Sequence, residues 1–507
     1  MAFKKESIVK STIALIAVSG VMKLLGYAEK IVLAYYYGTG SEVDVYLLVS
    51  GVVFSLFVLF RELVEPGFLT VFLKIREKDD AEAWRFFNRY ARMLFLPVFA
   101  VFLSGIIFPG QVIHIFAPGF TPEKKELAVK LLQVSFPAVL FLSMTNLTAI
   151  TLNSQKRFLL PASGDVVFRA VTLLFLILLY PKYGITGAGI GMVIGAAGKL
   201  LVHLLALWRR VSLKRVRAAT AYYREVWRLT WPLLLGMLVS QANLLTDNMF
   251  ASYMKNGTIA ALSYAKKIVE MPVVVFPYVL SIVVFPYFSQ FAIEKDTARL
   301  TKLFYDTMGW IIFLFLPLSV LFFVFPGQLT GILLQRGAFN EASTSLTAQP
   351  LAIYSLGMLS FAIETILVLV FFSFSDTKTP VLTGIICVAI NILVTIVLIP
   401  SVGYLAIAWA LVISKTLKIL VLGYLLRKKI RLHTEVIIPF VMKVCLATGV
   451  FVAYIMCLKY ALGTYRPSTA WSGGKGLFLL CAGSGVLIYL LACYLLKMKL
   501  LLKSITR

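Results

Sequence analysis

Fourteen apolar windows of about 20 residues run through this chain, and they constrain its fold more than any other feature. A helix of that length crosses the roughly 30 Å of hydrocarbon in a bilayer, and lipid does not tolerate exposed irregular backbone. We therefore predict an all-α polytopic membrane protein with fourteen transmembrane helices, at 8–34, 43–62, 90–109, 127–151, 162–180, 185–207, 230–252, 259–288, 304–326, 347–373, 380–400, 404–426, 436–460 and 475–496.

Charge supports this reading and predicts an orientation. Only 14% of the 507 residues are charged, whereas a soluble domain carries about 25%. The net charge of +26 comes mostly from basic residues in alternate loops. The longest of these basic loops is 208–228. Since basic loops stay on the cytoplasmic side, both termini are expected in the cytoplasm. We interpret 208–228 as a positive-inside linker, with specific binding of anionic lipid as the alternative.

The chain shows no motif of an enzyme. It has no phosphate-binding GxxxxGK[ST] loop and no HExxH, and its five cysteines lie in apolar runs without metal-ligand spacing. We expect a transporter without metal or cofactor. Uphill transport would then use the membrane potential, a Na⁺ or H⁺ gradient, or consumption of the substrate.

An internal repeat divides the chain. An offset of 217 residues superposes Tyr36 on Tyr253, and an offset of 219 superposes Pro181 on Pro400. An even number of helices in each half predicts two parallel six-helix repeats, with a substrate site between them. The predicted divisions are an N-lobe at 1–210, a basic linker at 211–229, a C-lobe at 230–430 and a C-terminal helix pair with a basic tail at 431–507.

Charges at membrane depth indicate where a site would lie. One face of the first helix carries Ser19, Lys23, Gly26 and Lys30. Each such charge costs about 2.5–3.5 kcal/mol on insertion, so charged side chains should face the protein or a water-filled cavity. The predicted cationic set consists of Lys23, Lys30, Arg61, Lys266 and Lys267, partly offset by Glu29, Asp44, Glu62, Glu65 and Glu270.

Two interpretations of this set remain open. The charges could be structural ion pairs between helices; Lys266 and Glu270, for example, are spaced i, i+4 and can pair. Alternatively, the cations could bind an anionic headgroup, a phosphate or a diphosphate, in a cleft.

A second candidate site lies on the later helices. The 217-residue offset places Asp247 opposite Lys30, and Asn391 is the nearest polar candidate partner of Asp247 in the same lobe. A cation or proton site there competes with a plain interhelical hydrogen bond or ion pair. We assign Asp165, Arg169 and Glu364 to the cavity lining only.

The chain resembles the lipid II flippase (MurJ, MviN) family of the multidrug/oligosaccharidyl-lipid/polysaccharide exporter superfamily. The stretches that carry the resemblance recur in order over nearly the full length, and they are SGVMKLLGYAEKIVLAYYYGTGSEVDVY, FAPGF, LNSQKRFLLPA, VSQANLLTDNMFASYMKNGTIAALSYAKKIVEMP, LLQRGAF and SDTKTPV. The resemblance implies two six-helix lobes and a C-terminal pair around a central cavity. It also implies movement of an undecaprenyl-diphosphate-linked sugar across the bacterial inner membrane for peptidoglycan synthesis.

Several positions match the family pattern and others depart from it. Asp44, Arg61, Glu65 and Lys267 correspond to its charged positions, but Lys23 and Lys267 stand where the family usually has Arg. Glu29-Lys30 reverses a usual Arg-Asp pair, and Lys266 replaces an acidic or small residue. Because lysine does not form the two-pronged contact of arginine with phosphate, these changes keep positive charge but alter its geometry.

We therefore expect an alternating-access flippase for lipid II with a cationic central cavity. A flippase for an exopolysaccharide or O-antigen repeat unit is one alternative, and a non-transporting scaffold of envelope synthesis is another. Expected partners are the polyprenyl-linked saccharide, membrane lipids and envelope glycosyltransferases, with no nucleic acid and a monomeric working unit.

Overall fold

The computed structural model describes residues 8–212, 220–430, 434–463, 471–496 and 498, and these residues are almost entirely helical. Their helices are α1 (Ile8–Tyr37), α2 (Ser41–Arg76), α3 (Asp80–Ile107), α4 (Pro109–Phe116), α5 (Pro122–Ser135), α6 (Pro137–Ser154), α7 (Leu159–Tyr183), α8 (Thr186–Leu207), α9 (Thr220–Ser252), α10 (Thr258–Ile293), α11 (Thr297–Val324), α12 (Pro326–Leu334), α13 (Glu341–Ser373), α14 (Lys378–Val402), α15 (Leu405–Leu426), α16 (Thr434–Gly463) and α17 (Trp471–Leu495). The all-α membrane fold is confirmed.

Every predicted apolar window coincides with a helix, but three local predictions differ from the structure. The window 127–151 contains two helices, α5 and α6, which meet at a bend of 41° before Pro137. Helix α2 continues to Arg76 instead of ending near residue 62, because charged residues that end an apolar window still favour helix. The short helices α4 and α12 were not predicted.

The number of membrane crossings stays a prediction. Nine helices within the described residues are long and apolar enough to cross a bilayer, or up to eleven if each bent pair of helices is one span. The second bent pair lies within α10, where Thr258–Pro277 and Val279–Ile293 meet at 41°. A proline in a helix removes a backbone hydrogen bond and kinks the chain.

Helix lengths confirm the internal repeat. Helices α2 and α10 both have 36 residues, and α3 and α11 both have 28. Helices α7 and α14 both have 25 residues, and each ends at a glycine with positive φ, 52° at Gly184 and 59° at Gly403. Only glycine adopts that conformation without strain, so the glycine spacing in the sequence reflects helix ends.

The short helices repeat as well. The sequence Phe-Pro-Gly-Gln opens α4 at Phe108 and opens α12 at Phe325. The two phenylalanines have nearly the same backbone angles, φ −120° and ψ 46° for Phe108 and φ −123° and ψ 43° for Phe325. Proline at the first helical position favours such a start because its missing N–H needs no partner there.

The chain forms two compact units. Of the described residues, those up to 260 and 336–339 belong to the first unit, and 261–335 and those from 340 onward belong to the second. In the first unit α2 packs against α5, α6 and α9, and α7 packs against α1 and α8. Helix α9 therefore packs with the helices of the first repeat, whereas the lobe division at 211–229 inferred from the repeat stays a prediction.

The second unit is built around α13. This helix packs against α11 and α15, and α15 packs against α14. The hairpin of α16 and α17 packs on α11, where Phe451 and Tyr489 lie in a common apolar cluster. The Tyr489 hydroxyl donates a hydrogen bond of 2.8 Å to the carbonyl of Phe313, which satisfies the polar end of an otherwise buried ring.

Candidate functional site

The predicted cationic face of α1 is present on a continuous helix. Ser19, Lys23, Gly26 and Lys30 are all partly exposed, and helical spacing places them on one face. Apart from its chain neighbours and the nearby backbone of α1, no described atom lies within 4 Å of where a Cβ on Gly26 would stand. The described residues therefore leave the position of Gly26 on this face open.

Arg61 forms an exposed ion-pair group on α2. Its guanidinium lies 3.1 Å from a Glu62 carboxylate oxygen and 3.9 Å from one of Glu65. The side chains of Arg61 and Glu65 are 46% and 52% exposed. Because exposed pairs contribute only about 0–1 kcal/mol, this group adds little to the stability of the fold, and a role of Arg61 in binding an anion stays a prediction.

Glu29 is buried and paired. It is 4% exposed and accepts a 2.8 Å hydrogen bond from Arg169 Nη1 of α7. Tyr46 donates a longer bond of 3.4 Å to the same carboxylate. The Arg169 guanidinium also lies 5.4 Å from the centre of the Phe54 ring, which adds a cation–π contact. Glu29 therefore ties α1 to α7 and neutralises Arg169.

Asp44 has the most heavily bonded buried carboxylate of the predicted residues. It is 1% exposed and accepts bonds of 2.9 Å from Lys124 Nζ, 2.7 Å from the Gly257 backbone N–H and 2.8 Å from that of Ala260. We call Asp44, Lys124, Gly257 and Ala260 the Asp44 cluster. The first turn of a helix has backbone N–H groups without partners and a partial positive charge, so Asp44 caps α10 from a distant part of the chain.

Two loops at the same end of the first unit make reciprocal contacts. Gly119, in the loop before α5, donates its backbone N–H to Ser252 Oγ at the end of α9. Ala338, in the equivalent loop before α13, donates its backbone N–H to the Tyr35 carbonyl of α1 at 2.8 Å. The adjacent Gly337 has φ +57°, and a Cβ there would stand 2.4 Å from the Tyr35 oxygen, so only glycine permits this approach. Each repeat therefore contributes a loop that contacts the first helix of the other repeat.

The predicted cations of α10 lie in the second unit. Lys266 and Lys267 are partly exposed, and Lys267 Nζ lies 3.7 Å from a Glu270 carboxylate oxygen. Glu270 therefore pairs with Lys267, at i, i+3 spacing, rather than with Lys266, for which the i, i+4 spacing had left a pair open. Both side chains of that pair are more than a third exposed, so the pair is weak.

The candidate cation site at Asp247 and Asn391 stays a prediction. Asp247 is partly exposed on α9 of the first unit. Asn391 of α14, in the second unit, is 1% exposed. Neither side-chain polar atom of Asn391 hydrogen-bonds to any residue that the structure describes. Since an unsatisfied buried amide costs about 1–3 kcal/mol, Asn391 is a position at which a ligand atom or water would stabilise the fold.

Two further groups of charged side chains come from residues in the middle of apolar helices. In the first unit Lys199 Nζ lies 2.8 Å from Asp165, and the neighbouring His203 Nδ1 is 2.9 Å from Thr148 Oγ1. In the second unit Glu364 accepts hydrogen bonds from both Lys415, at 2.8 Å, and Lys418, at 2.6 Å. The first group has balanced charge between Lys199 and Asp165, whereas the second has two ammonium groups on one carboxylate.

Comparison with known proteins identifies the family. The family model described as lipid II flippase MurJ matches residues 33–479. The chain belongs to the lipid II flippase MurJ family. A probable lipid II flippase MurJ of Vibrio cholerae is 27% identical over 517 residues, covering 98% of this chain and 97% of that protein. One of Rhizobium tropici is 28% identical over 407 residues, covering 76% and 75%.

Solved structures of similar fold agree. A structure described as lipid II flippase MurJ in an inward closed conformation matches with a TM-score of 0.81 at 22% identity, covering 96% of this chain and 100% of that one. An inward-facing multidrug resistance MATE transporter of the MOP superfamily matches with a TM-score of 0.68 at 13% identity, covering 82% and 97%. At these identities the likeness concerns the fold, and it confirms the membrane architecture of a MurJ family member.

Within this MurJ family chain, the sequence located the charged positions better than their partners. Lys124 was missed because it precedes the apolar window at 127–151, although its place near the helix start made it a candidate for pairing with an acidic residue. Lys415 and Lys418 were also missed. They interrupt the apolar run of α15 at i, i+3 spacing, and two charges on one face of an apolar helix indicate a buried acidic partner or a ligand. Lys23, Lys30 and Arg61 lie in the first unit and Lys266 and Lys267 in the second, so their convergence on one headgroup stays a prediction.

Proposed function

We propose that this chain is a flippase that moves lipid II, a polyprenyl-diphosphate-linked saccharide, from the inner to the outer leaflet of the bacterial cytoplasmic membrane. The observation that carries the proposal is the match of the MurJ family model over residues 33–479. The full-length similarity to proteins named probable lipid II flippases supports it.

The partly exposed cations suit an anionic headgroup. Lys23 and Lys30 lie on one face of α1, and Arg61 is 46% exposed on α2. A diphosphate is a doubly charged acceptor that ammonium and guanidinium groups bind by charge-assisted hydrogen bonds. In the proposed mechanism these side chains hold the diphosphate while the polyprenyl tail stays in the lipid, because moving the tail through water would lose its hydrophobic burial.

Alternating access requires contacts that form and release. The Asp44 cluster and the loops at Gly119 and Ala338 connect segments of both repeats within the first unit. We propose that these contacts close the periplasmic end while both termini remain cytoplasmic, an orientation supported by the basic loops. Release of the Asp44 carboxylate from the start of α10 would accompany opening toward the periplasm.

The membrane potential is the proposed driving force for resetting the empty transporter. A potential of 100 mV, negative inside, is worth about 2.3 kcal/mol for each elementary charge that crosses the membrane. A cationic site that has released its anion outside would be drawn inward by that field. In proteoliposomes, an ionophore that collapses the potential should slow lipid II transport, and an unchanged rate would exclude this step.

Complementation tests the function directly. A strain depleted of its lipid II flippase would receive the wild type, Lys30→Ala, Lys267→Ala or the control Lys378→Ala, which removes an exposed cation of α14. We expect rescue by the wild type and the control and loss of rescue by the two site variants at equal membrane levels.

Each other outcome has a distinct meaning. A wild type that is inserted in the membrane but does not rescue would contradict lipid II as the substrate and would favour another polyprenyl-linked saccharide. Rescue by all four proteins would keep lipid II and refute the role of the two lysines in binding the headgroup. Rescue by wild type with loss in all three variants would indicate a general need for cations.

A further inference from the structure

The charged group in the second repeat differs from its counterpart in the first by one full charge. The 219-residue offset superposes Lys199 on Lys418 and Asp165 on Gly384. In the first repeat Lys199 Nζ lies 2.8 Å from the Asp165 carboxylate, so lysine and carboxylate cancel. In the second repeat Glu364 binds both Lys418 and the additional Lys415, which leaves one positive charge.

The surplus charge lies at a partly buried group. Lys418 and Glu364 side chains are 10% and 14% exposed, and that of Lys415 is 30% exposed. Lys415 and Lys418 precede the end of α15 by eleven and eight residues, which places their Cα atoms about 16 and 12 Å from that end at 1.5 Å per residue. An uncompensated ammonium group at such depth is expensive, so the site favours a bound anion.

One side of Lys418, next to Gly384, is not filled by neighbouring described segments. A Cβ on Gly384 would have Lys418 Nζ at 3.6 Å, and no other atom of a neighbouring described segment would lie within 4 Å of it. At the equivalent position of the first repeat stands Asp165, and its carboxylate pairs with Lys199. The second repeat thus keeps the lysine, as Lys418, but has Gly384 in place of the aspartate, so no carboxylate extends from this position.

We propose that Lys415, Lys418 and the space beside Gly384 form an oxyanion-binding site for one phosphoryl-sized group. Charge-assisted hydrogen bonds from the two ammonium groups would hold the anion, and Glu364 would keep both lysines in position. The site lies within the second unit and is formed by residues of α13, α14 and α15. Its ligand chemistry is that of a phosphate, whether free in solution or attached to a lipid.

Calorimetry on the purified full-length protein tests this site without transport. Inorganic phosphate and farnesyl diphosphate serve as probes of the free and the lipid-linked source, and they are titrated at low ionic strength because salt screens the contact. Binding of phosphate alone assigns the free source, and binding of farnesyl diphosphate alone assigns the lipid-linked source. Competition between the two at this site shows that either is accepted.

Two variants and a control decide the outcome. Lys415→Gln removes the surplus charge, and Gly384→Asp places a carboxylate where the first repeat has Asp165. Each should weaken the binding of the accepted probe about tenfold or more, the effect of losing one charged hydrogen bond, whereas Lys378→Gln should leave it unchanged. Gly384→Asp should also raise the thermal unfolding temperature in the absence of anion, because it neutralises the cluster.

Other results overturn the proposal. A wild type that binds neither probe has no such site. Equal affinities in the wild type, Lys415→Gln and Gly384→Asp would place any bound anion elsewhere, and a loss in Lys378→Gln of the same size would indicate an effect of net charge. Since no transport is measured, these results leave the proposed flippase function unaffected.

Discussion

Two charged segments of helix α2 differ in how deeply their ionic groups are buried and in where their partners come from. Asp44 is 1% exposed and accepts three hydrogen bonds from α5 and the start of α10. Arg61 is 46% exposed, and its carboxylate partners Glu62 and Glu65 lie on its own helix. The comparison teaches that a charge in an apolar window can stabilise packing or remain available for a ligand, and that burial and the origin of its partners distinguish the two roles.

The physical reason is the cost of removing a charge from water. Removing one partner of a buried ion pair destabilises the folded protein by about 3–5 kcal/mol, because the other charge is left buried without compensation. An exposed pair contributes about 0–1 kcal/mol, because water replaces either partner. Stability measurements should therefore separate the two segments.

Asp44→Ala should give the largest effect. The substitution leaves the Lys124 ammonium group, whose side chain is 9% exposed, and two backbone N–H groups without their acceptor. We expect a loss of about 3–5 kcal/mol in the free energy of unfolding, measured by denaturant or thermal unfolding in detergent. Glu65→Ala on the same helix is the matched control and should change stability by less than about 1 kcal/mol. Equal losses in the two variants would contradict the comparison.

Glu29→Gln should have the next largest effect. The neutral amide no longer compensates Arg169, but that guanidinium is 30% exposed and keeps its contact with the Phe54 ring. We expect a loss of about 2 kcal/mol, the range for a hydrogen bond to a charged group, in the same unfolding assay. The control is Glu42→Gln, which changes an exposed glutamate in the first turn of α2. If Glu42→Gln destabilised the protein as much as Glu29→Gln, burial of Glu29 would not explain the loss.

Gly67→Ala tests whether α2 is fixed against α9 just beyond the Arg61 segment. A Cβ there would stand 2.4 Å from Thr230 Oγ1 and 2.7 Å from the Val226 carbonyl oxygen, so the helices would have to separate. Overpacking of this kind costs about 1–3 kcal/mol. Gly51→Ala is the control in the same helix pair, because its nearest neighbour would be Asn248 Nδ2 at 3.5 Å. If the two alanine variants were equally stable, close packing at Gly67 would be refuted.

Arg61→Gln should change stability least but transport strongly. Its pair is exposed, so we expect a change in unfolding free energy below about 1 kcal/mol, while rescue in the complementation assay should fail if Arg61 binds the headgroup. Arg85→Gln is the control, since Arg85 is 48% exposed and pairs with Glu82 at 2.7 Å outside the proposed site. Full rescue by Arg61→Gln would assign Arg61 a structural role only.

The sequence by itself determined the membrane fold, the approximate positions of the long helices and the internal repeat. Apolar length decides whether a segment crosses a bilayer, and helix ends at residues such as Gly184 and Gly403 require glycine, so both features can be read locally. The resemblance that points to a lipid II flippase also rests on local stretches. The family match then confirmed the family to which the chain belongs.

Only the tertiary structure decided which charges meet. Asp44 binds groups 80, 213 and 216 residues away in the chain, and Glu364 binds lysines 51 and 54 residues away. Helical periodicity predicts which face a side chain occupies but contains no information on the helix that packs against it. Burial follows from that packing, and burial determines whether a charged residue holds the fold together or remains open to a ligand.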